Sequence, residues 1–387
     1  MSQAETFLGY ERADGRVGIR NWVAVVSVME NCNSITRAVV RSVLNTVPVA
    51  TAYVRGQIGQ DLEITMSVLA GLATNPNIGG VVIVGLEPVT SEDLARRIRP
   101  SGLPVAIVNI QETGGTLEAT MLASRQAARM VRAASAMRRK PFPVSRLTVG
   151  VECGGSDTTS GLASNPAIGV AADRIVSLGG QVVISETSEF LGAEHVFADR
   201  AATPAVRDRF LAEVHGHERR IMDQGVDLRG SNPTRDNIRG GLTTIEEKSL
   251  GAMAKAGTTP LVGIIGYGER PSKPGLHFMA TPAPAVESLT GLAAGGCQIN
   301  LFSTGVGNPI GSVISTTIKV TGNRNTAQNF SDNIDCDVSG ILEAGERVAA
   351  AGARVFDYML SVASGELTSA EILDARETSI SRFGLSM

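Results

Sequence analysis

Two short stretches of this sequence hold side chains that could do acid–base or metal chemistry. The first is Val151-Glu152-Cys153-Gly154-Gly155-Ser156-Asp157, where an apolar run ends and a helical pattern begins. Glu152 and Asp157 are hard oxygen donors, and Cys153 is a softer sulfur donor. Gly154 and Gly155 allow a backbone to approach a ligand closely. Ser156 and the hydroxyls after it could cap a helix or bind an anion at its start. Taken alone, a plain glycine turn with a packed Cys153 explains the stretch equally well. The second stretch, Ser185-Glu186-Thr187-Ser188-Glu189 with Glu194 and His195, follows the next apolar run. Helix-start carboxylates beside a surface His195 would account for it. Yet acidic groups at two successive strand ends repel one another, which favours a functional use. We therefore expect Asp157, Glu186 and Glu189 to ligate a divalent cation, and Glu152, Cys153 and His195 to serve as catalytic groups.

Two weaker signals follow. Gly240-Gly241-Leu242-Thr243-Thr244 leads into Ile245-Glu246-Glu247-Lys248, an N-cap with an acidic first turn. Lys248, one turn in, could reach a substrate carboxylate or stand solvated. Thr304-Gly305-Val306-Gly307 opens a glycine-rich loop that could cradle an anion through its N–H groups or be a simple turn. It lacks the Gly-Lys-Ser/Thr ending of a phosphate-binding loop. No GxGxxG follows the first apolar run, so no NAD site is expected.

The elements that must position these residues alternate. Buried-strand patterns at 21–29, 47–54, 80–84 and 104–110 are separated by helical periodicity at 34–45, 61–73, 91–98 and 115–134. Apolar strands between helices predict parallel, doubly wound, Rossmann-like α/β sheets. Ligands on such sheets bind beyond the strands' carboxyl ends, where Gln111 falls. The basic, Pro-containing run at 137–146 divides the chain into two α/β domains, 1–140 and a catalytic 141–387. Strands at 147–151, 181–185, 261–265 and 297–303 follow, with helices at 165–177, 203–224, 243–256, 283–293, 347–364 and 369–382.

Composition narrows the class. A net charge of −3 with scattered basic residues argues against nucleic-acid binding. Four Cys without CxxC pairing suit reduced thiols. With no leader pattern and no span-length apolar run, the expectation is a cytoplasmic protein off the membrane.

Taken in order, Gly9-Tyr10-Glu11-Arg12 with Asp14 to Asn21, Ile110-Gln111-Glu112-Thr113-Gly114-Gly115-Thr116, Cys153 to Asp157, Glu186 to Glu189 with Gly192-Ala193-Glu194-His195, Gly240-Gly241-Leu242 with Glu247-Lys248, and Thr304 to Gly307 carry a resemblance. Over nearly its whole length the chain resembles the large catalytic region of the altronate and galactarate dehydratases, whose superfamily includes the sulfolactate sulfo-lyase large subunit. That resemblance implies a lyase using iron, manganese or magnesium on a small hydroxy acid, a small β-rich partner subunit, and a homo-oligomer. Dehydration of altronate or galactarate to a 2-keto-3-deoxy acid is the leading expectation; sulfite elimination from sulfolactate is the alternative, and an inactive hydroxy-acid-binding homologue a third reading. The dehydratases carry a His and a Gly-Cys pair after the second strand. Here that stretch reads Thr51-Ala52-Tyr53-Val54-Arg55-Gly56-Gln57-Ile58-Gly59-Gln60-Asp61, without either. Its Arg55, Gln57 and Asp61 look closer to the sulfo-lyase branch, and Arg55 and Gln111 join Gly154, Gly155, Ser156, Thr304 and Gly305 as expected substrate contacts.

Overall fold

The computed structural model describes residues 5–382, 384 and 387. Its strands, in chain order, are β1 (Thr6–Glu11), β2 (Val17–Gly18), β3 (Trp22–Ser27), β4 (Thr46–Val49), β5 (Ile78–Gly85), β6 (Val105–Asn109), β7 (Lys140–Pro143), β8 (Thr148–Cys153), β9 (Gln181–Ile184), β10 (Leu261–Ile265), β11 (Gly275–Met279), β12 (Ile299–Ser303), β13 (Thr316–Thr321) and β14 (Cys336–Asp337). They form a four-stranded sheet of order β4-β3-β5-β6 and a seven-stranded sheet of order β10-β11-β9-β8-β12-β13-β14. Every pairing in both is parallel. A third, antiparallel sheet of order β2-β1-β7 takes two strands from before the four-stranded sheet and one from the segment between the two parallel sheets.

The four-stranded sheet buries both faces, as its unbroken apolar strands require. Val23 and Val25 of β3 pack with Ile35, Val39 and Ala123 on one side, while Ala24 and Val26 pack with Leu69 and Leu94 on the other. The larger core sits on the seven-stranded sheet. There Phe190, Phe197, Phe210 and Phe278 interlock with ring centroids 4.9 to 5.3 Å apart. Edge-to-face rings of this kind add to the burial term.

Three observations differ from the sequence pattern. The basic run at 137–146 is not merely a connector: Lys140–Pro143 is an edge strand paired to β1. Its two prolines are tolerated because an edge strand can spare N–H donors. Thr316–Thr321 is a fully buried strand although Thr-Thr-Ile-Lys-Val-Thr shows no apolar run. The helix expected at 369–382 stops at Ile372. Asp374 is left-handed at φ 55°, and the chain beyond docks instead, with Ser379 N–H donating to Thr290 Oγ1 at 3.1 Å.

The two parallel sheets are joined by polar side chains of one short turn. Asn75 Nδ2 donates to the carbonyls of Ala293 and Cys297 at 2.7 and 3.0 Å. Asn77 Nδ2 donates to those of Gln298 and Ile314, both at 3.0 Å, and its Oδ1 accepts Ile19 N–H at 3.0 Å. Both asparagines are fully buried. Removing such a partner strands the buried groups it satisfied, at about 1–3 kcal/mol each. Asn77→Ala is therefore expected to lower unfolding free energy by about 3 kcal/mol or more in urea titrations.

Lys319 poses the opposite case. It is wholly buried, and among the described residues its ammonium bonds only to the Pro309 carbonyl, at 3.4 Å. Burial pushes its proton affinity down to about 8 against the partial support of Asp335. Below that pH both folded and unfolded chains carry the proton, and the penalty is full. Between about 8 and the free-lysine value of about 10.4 the unfolded chain binds more protons, so stability rises with pH. Lys319→Met should thus stabilise the protein at pH 7 by up to about 3 kcal/mol, the advantage shrinking to under half by pH 9.5. A gain independent of pH would show that charge burial is not the cause.

Candidate active site

Strand register decides which acidic side chains meet. β8 and β9 run in parallel with Val151 beside Ile184. One residue on, Glu152 lies beside Ser185, and two on, Cys153 lies beside Glu186. Successive residues face opposite sides of a sheet, so these two pairs separate. Glu152 turns to one face, where its Oε2 accepts from Ser185 Oγ at 2.8 Å and Ser288 Oγ at 2.6 Å. Cys153 and Glu186 turn to the other, where Cys153 N–H donates to Glu186 Oε2 at 3.1 Å.

Glu186 is held in a left-handed conformation, φ 70°, which a non-glycine residue adopts only at a cost of about 1–3 kcal/mol. Thr281 fixes it: its Oγ1 accepts Glu186 N–H at 2.8 Å and its carbonyl accepts Thr187 N–H at 3.0 Å. The turn then brings round Glu189, followed by Phe190, whose ring is set in the aromatic cluster. Ligand atoms of Cys153, Glu186 and Glu189 lie within 4.8 Å of one another, all three residues buried.

Lys255 enters this group from a 3₁₀ turn at the end of the helix Ile245–Met253. Its ammonium donates to Glu186 Oε2 at 2.5 Å and to Cys153 Sγ at 2.9 Å. Burial alone would strip its proton, but the pull of the acidic groups around it, Glu186 and Glu189 among them, outweighs burial and fixes the charge. Burial, aided by Glu189, raises Glu186 to about 6 against the opposing pull of Lys255. Burial and then the charge of Glu186 push both Glu152 and the Cys153 thiol well above their ordinary values. Glu152 is accordingly a neutral acid and Glu186 the carboxylate partner of Lys255.

Lys248 links this group to open space. It pairs with Glu189 Oε1 at 2.9 Å, donates to Asn232 Oδ1 at 2.9 Å, and lines a cavity of about 340 Å³ shared with Ser156, Asp157, Thr158 and Ser160. Glu189 Oε2 is buried without a hydrogen-bond partner. A thiol and two carboxylates, one of them with an unsatisfied oxygen, are a donor set that could hold a metal ion. An ion there would compete with Lys255 for the same negative charge.

Other expected residues lie elsewhere. Asp157 is outside the Cys153 group. Its Oδ1 accepts from Thr159 Oγ1 and Ser160 N–H, and its Oδ2 from Asn323 Nδ2 at 2.8 Å, so it anchors the cavity wall. Gly155 (φ 67°) and Gly305 pack side by side, Gly305 N–H donating to the Gly155 carbonyl at 3.0 Å. A Cβ on Gly305 would stand 2.2 Å from the Asp157 carboxyl, so only glycine fits. Gly154 donates its N–H to the Ser303 carbonyl, and Thr304 Oγ1 accepts Gly307 N–H, so these loops brace one another. His195 is exposed on a short helix, and no hydrogen bond joins it to the Cys153 group among the described residues. Arg55 and Gln111 are exposed at the four-stranded sheet, and neither side chain bonds to that group. The Thr51 to Asp61 stretch instead meets the chain's end, with Arg382 over the Tyr53 ring at 4.8 Å and Gly384 N–H donating to Asp61.

Lys255, Thr281, Ser288 and Asn323 are absent from the residues singled out by spacing. Only Lys255 leaves a local sign: it stands alone in Gly251-Ala252-Met253-Ala254-Lys255-Ala256-Gly257, where a charge has no solvent-facing pattern to explain it.

A buried thiol, acids and ammonium at the strand ends of an α/β scaffold, beside a cavity, suit an enzyme site. The chain belongs to the D-galactarate/altronate dehydratase family: residues 144–386 match its C-terminal domain model and residues 9–135 its second-domain model. It is 40% identical to the (2R)-sulfolactate sulfo-lyase subunit beta of Chromohalobacter salexigens, over 98% of each chain. It is 30% identical to the altronate dehydratase of Bacillus subtilis, over 100% of this chain and 79% of that one. To the galactarate dehydratase (L-threo-forming) of Escherichia coli it is 30% identical, over 93% and 73%. These relatives are lyases, and so is this protein. No described helix is long and apolar enough to cross a membrane.

Removing Lys255 would leave Glu186 buried and uncompensated, which typically costs about 3–5 kcal/mol. Lys255→Met should destabilise the fold by that order, and adding Glu186→Gln should recover most of it. A double variant as unstable as the single one would show that the ion pair is not what the cluster rests on.

Proposed function

We propose that this chain is the catalytic subunit of a lyase that eliminates sulfite from a 2-hydroxy-3-sulfonate acid such as sulfolactate. The observation that carries the chemistry is Lys248, which joins the cavity to Glu189 and through it to the Cys153 group. The leaving group is read from the relatives: similarity to the sulfo-lyase subunit spans both chains almost completely, whereas the dehydratases are longer and less similar. That relative's designation as subunit beta supports a separate partner subunit here, which the family resemblance would make small and β-rich.

In this reading Lys248 binds the substrate carboxylate, which places the neighbouring carbon beside Glu189. Glu189 holds Lys248 through Oε1, and its free Oε2 takes the C2 proton. The electron pair forms the C2–C3 double bond as the C3–sulfur bond breaks, and sulfite leaves with its pair. The enol then tautomerises to pyruvate. Lys255, fixed as an ammonium, offsets the negative charge gathered at this end of the sheet. Cys153 and Glu186, the deepest donors, would hold a divalent ion (iron, manganese or magnesium), which when bound supplies Lewis-acid stabilisation of the enediolate. Sulfite is a better leaving group than hydroxide and needs less acid assistance, which fits an exposed His195 and no His in the Thr51 to Asp61 stretch. Dehydration of a sugar acid is the second reading, favoured by the 30% identity to the altronate and galactarate dehydratases.

Metal-loaded protein with its partner subunit, incubated with sulfolactate, should release sulfite and pyruvate in equal amounts. A 2-keto-3-deoxy acid from altronate or galactarate, without sulfite from sulfolactate, would replace this reading with the second. Lys248→Met should lower kcat/KM about 100-fold or more while leaving the protein folded. Cys153→Ser should reduce bound metal in elemental analysis; undiminished metal content would place the ion elsewhere.

A further inference from the structure

The amino edge of the seven-stranded sheet carries a second cavity, of about 260 Å³, remote from the Cys153 group. Thr148, at the start of β8, lines it, and Cys153 ends the same strand, so the two sites are roughly 16 Å apart at about 3.3 Å per residue. Three arginines from separate parts of the chain line it: Arg16 from the β1–β2 connection, Arg146 before β8, and Arg270 after β10. No carboxylate does.

Arg16 spends two of its nitrogens on Asp14, but its Nη1 is buried with no hydrogen-bond partner. Arg270 is explained in part by Thr74, whose carbonyl and hydroxyl accept from its Nη2. It stands close enough to Arg16 for the two charges to repel. The Arg146 side chain makes no hydrogen bond or ion pair among the described residues. Asp14 is therefore the one carboxylate paired with these three charges; Arg270 is held by neutral oxygens of Thr74, and Arg146 has no paired acid among the described residues. Three arginines lining one small cavity with no acidic residue in its wall suit an oxyanion, which takes paired N–H donors and neutralises like charges. The volume is just below the roughly 300–1,000 Å³ of small-molecule sites, so the ligand is small.

We propose that this cleft is a binding site for a phosphate-type dianion, either free or as the end group of a small metabolite, separate from the catalytic cavity. Because its arginines come from three chain segments, a bound dianion would tie them together and stabilise the folded state by mass action.

The test is thermal unfolding of the full chain with rising inorganic phosphate, and separately glycerol 3-phosphate, at ionic strength held constant with sodium chloride. The expected result is a saturable rise in Tm with at least one of the two, weakened tenfold or more in concentration by Arg146→Gln and unchanged by Lys248→Met. Arg146→Gln removes no side-chain hydrogen bond or ion pair among the described residues, and Arg146 is exposed, so it should fold normally. Saturation by inorganic phosphate alone would point to the free ion, and tighter binding of the ester to a phosphorylated metabolite. A rise no larger than chloride gives, one that persists in Arg146→Gln, or one lost in Lys248→Met would overturn the proposal.

Discussion

The ammonium of Lys255 sits between Glu186 and Cys153, with Glu189 close enough to help hold its charge in place. Without it, each carboxylate taken from water would cost several kcal/mol, and neighbouring acids at two strand ends would repel. With it, the group settles into one pattern. Lys255 and Glu186 form the charged pair, Glu152 keeps its proton between two serine hydroxyls, and Glu189 is held by Lys248. The same balance makes the site selective about added charge. A metal ion must displace or outweigh the ammonium, and a substrate anion must share Lys248 with Glu189.

That balance depends on backbone placement as much as on charge. Parallel register puts Cys153 beside Glu186, and Thr281 holds Glu186 in the left-handed conformation that aims it at Lys255. Glu189 follows within one turn because Phe190 is locked into four mutually packed rings. The strain at Glu186 is thus supported from two sides, by a hydroxyl on a neighbouring strand end and by the core beneath. Further out, Asn75 and Asn77 fasten the four-stranded sheet to the seven-stranded one through buried carbonyls. The helix Ala285–Ala294, whose end Asn75 bonds at the Ala293 carbonyl, also carries Ser288, which bonds Glu152.

Much of this was legible in the residues. Continuous apolar strands between helices imply parallel sheets, because both strand faces must be covered, and both main sheets are parallel with strands near the expected positions. The acidic strand ends at 152–157 and 186–189 are visible as chemistry out of place in a turn. The strand Thr316–Thr321 was not legible, since its burial comes from neighbours covering threonines rather than from its own apolarity. The Lys140–Pro143 strand was hidden by prolines that only an edge position excuses.

What the sequence determined by itself is the inventory: the turn at Glu152 to Asp157, the acids after the next strand, and the glycines that let Gly155 and Gly305 lie in contact. These follow from local rules of propensity, spacing and steric freedom. Tertiary structure decided the grouping. Side-chain alternation sends Glu152 and Cys153 to opposite faces, and long-range packing delivers Lys255 and Ser288 from over 100 residues away. It also leaves His195 in solvent and gives Asp157 to Asn323. No local pattern encodes those choices, because they depend on which strand ends the sheet order makes neighbours.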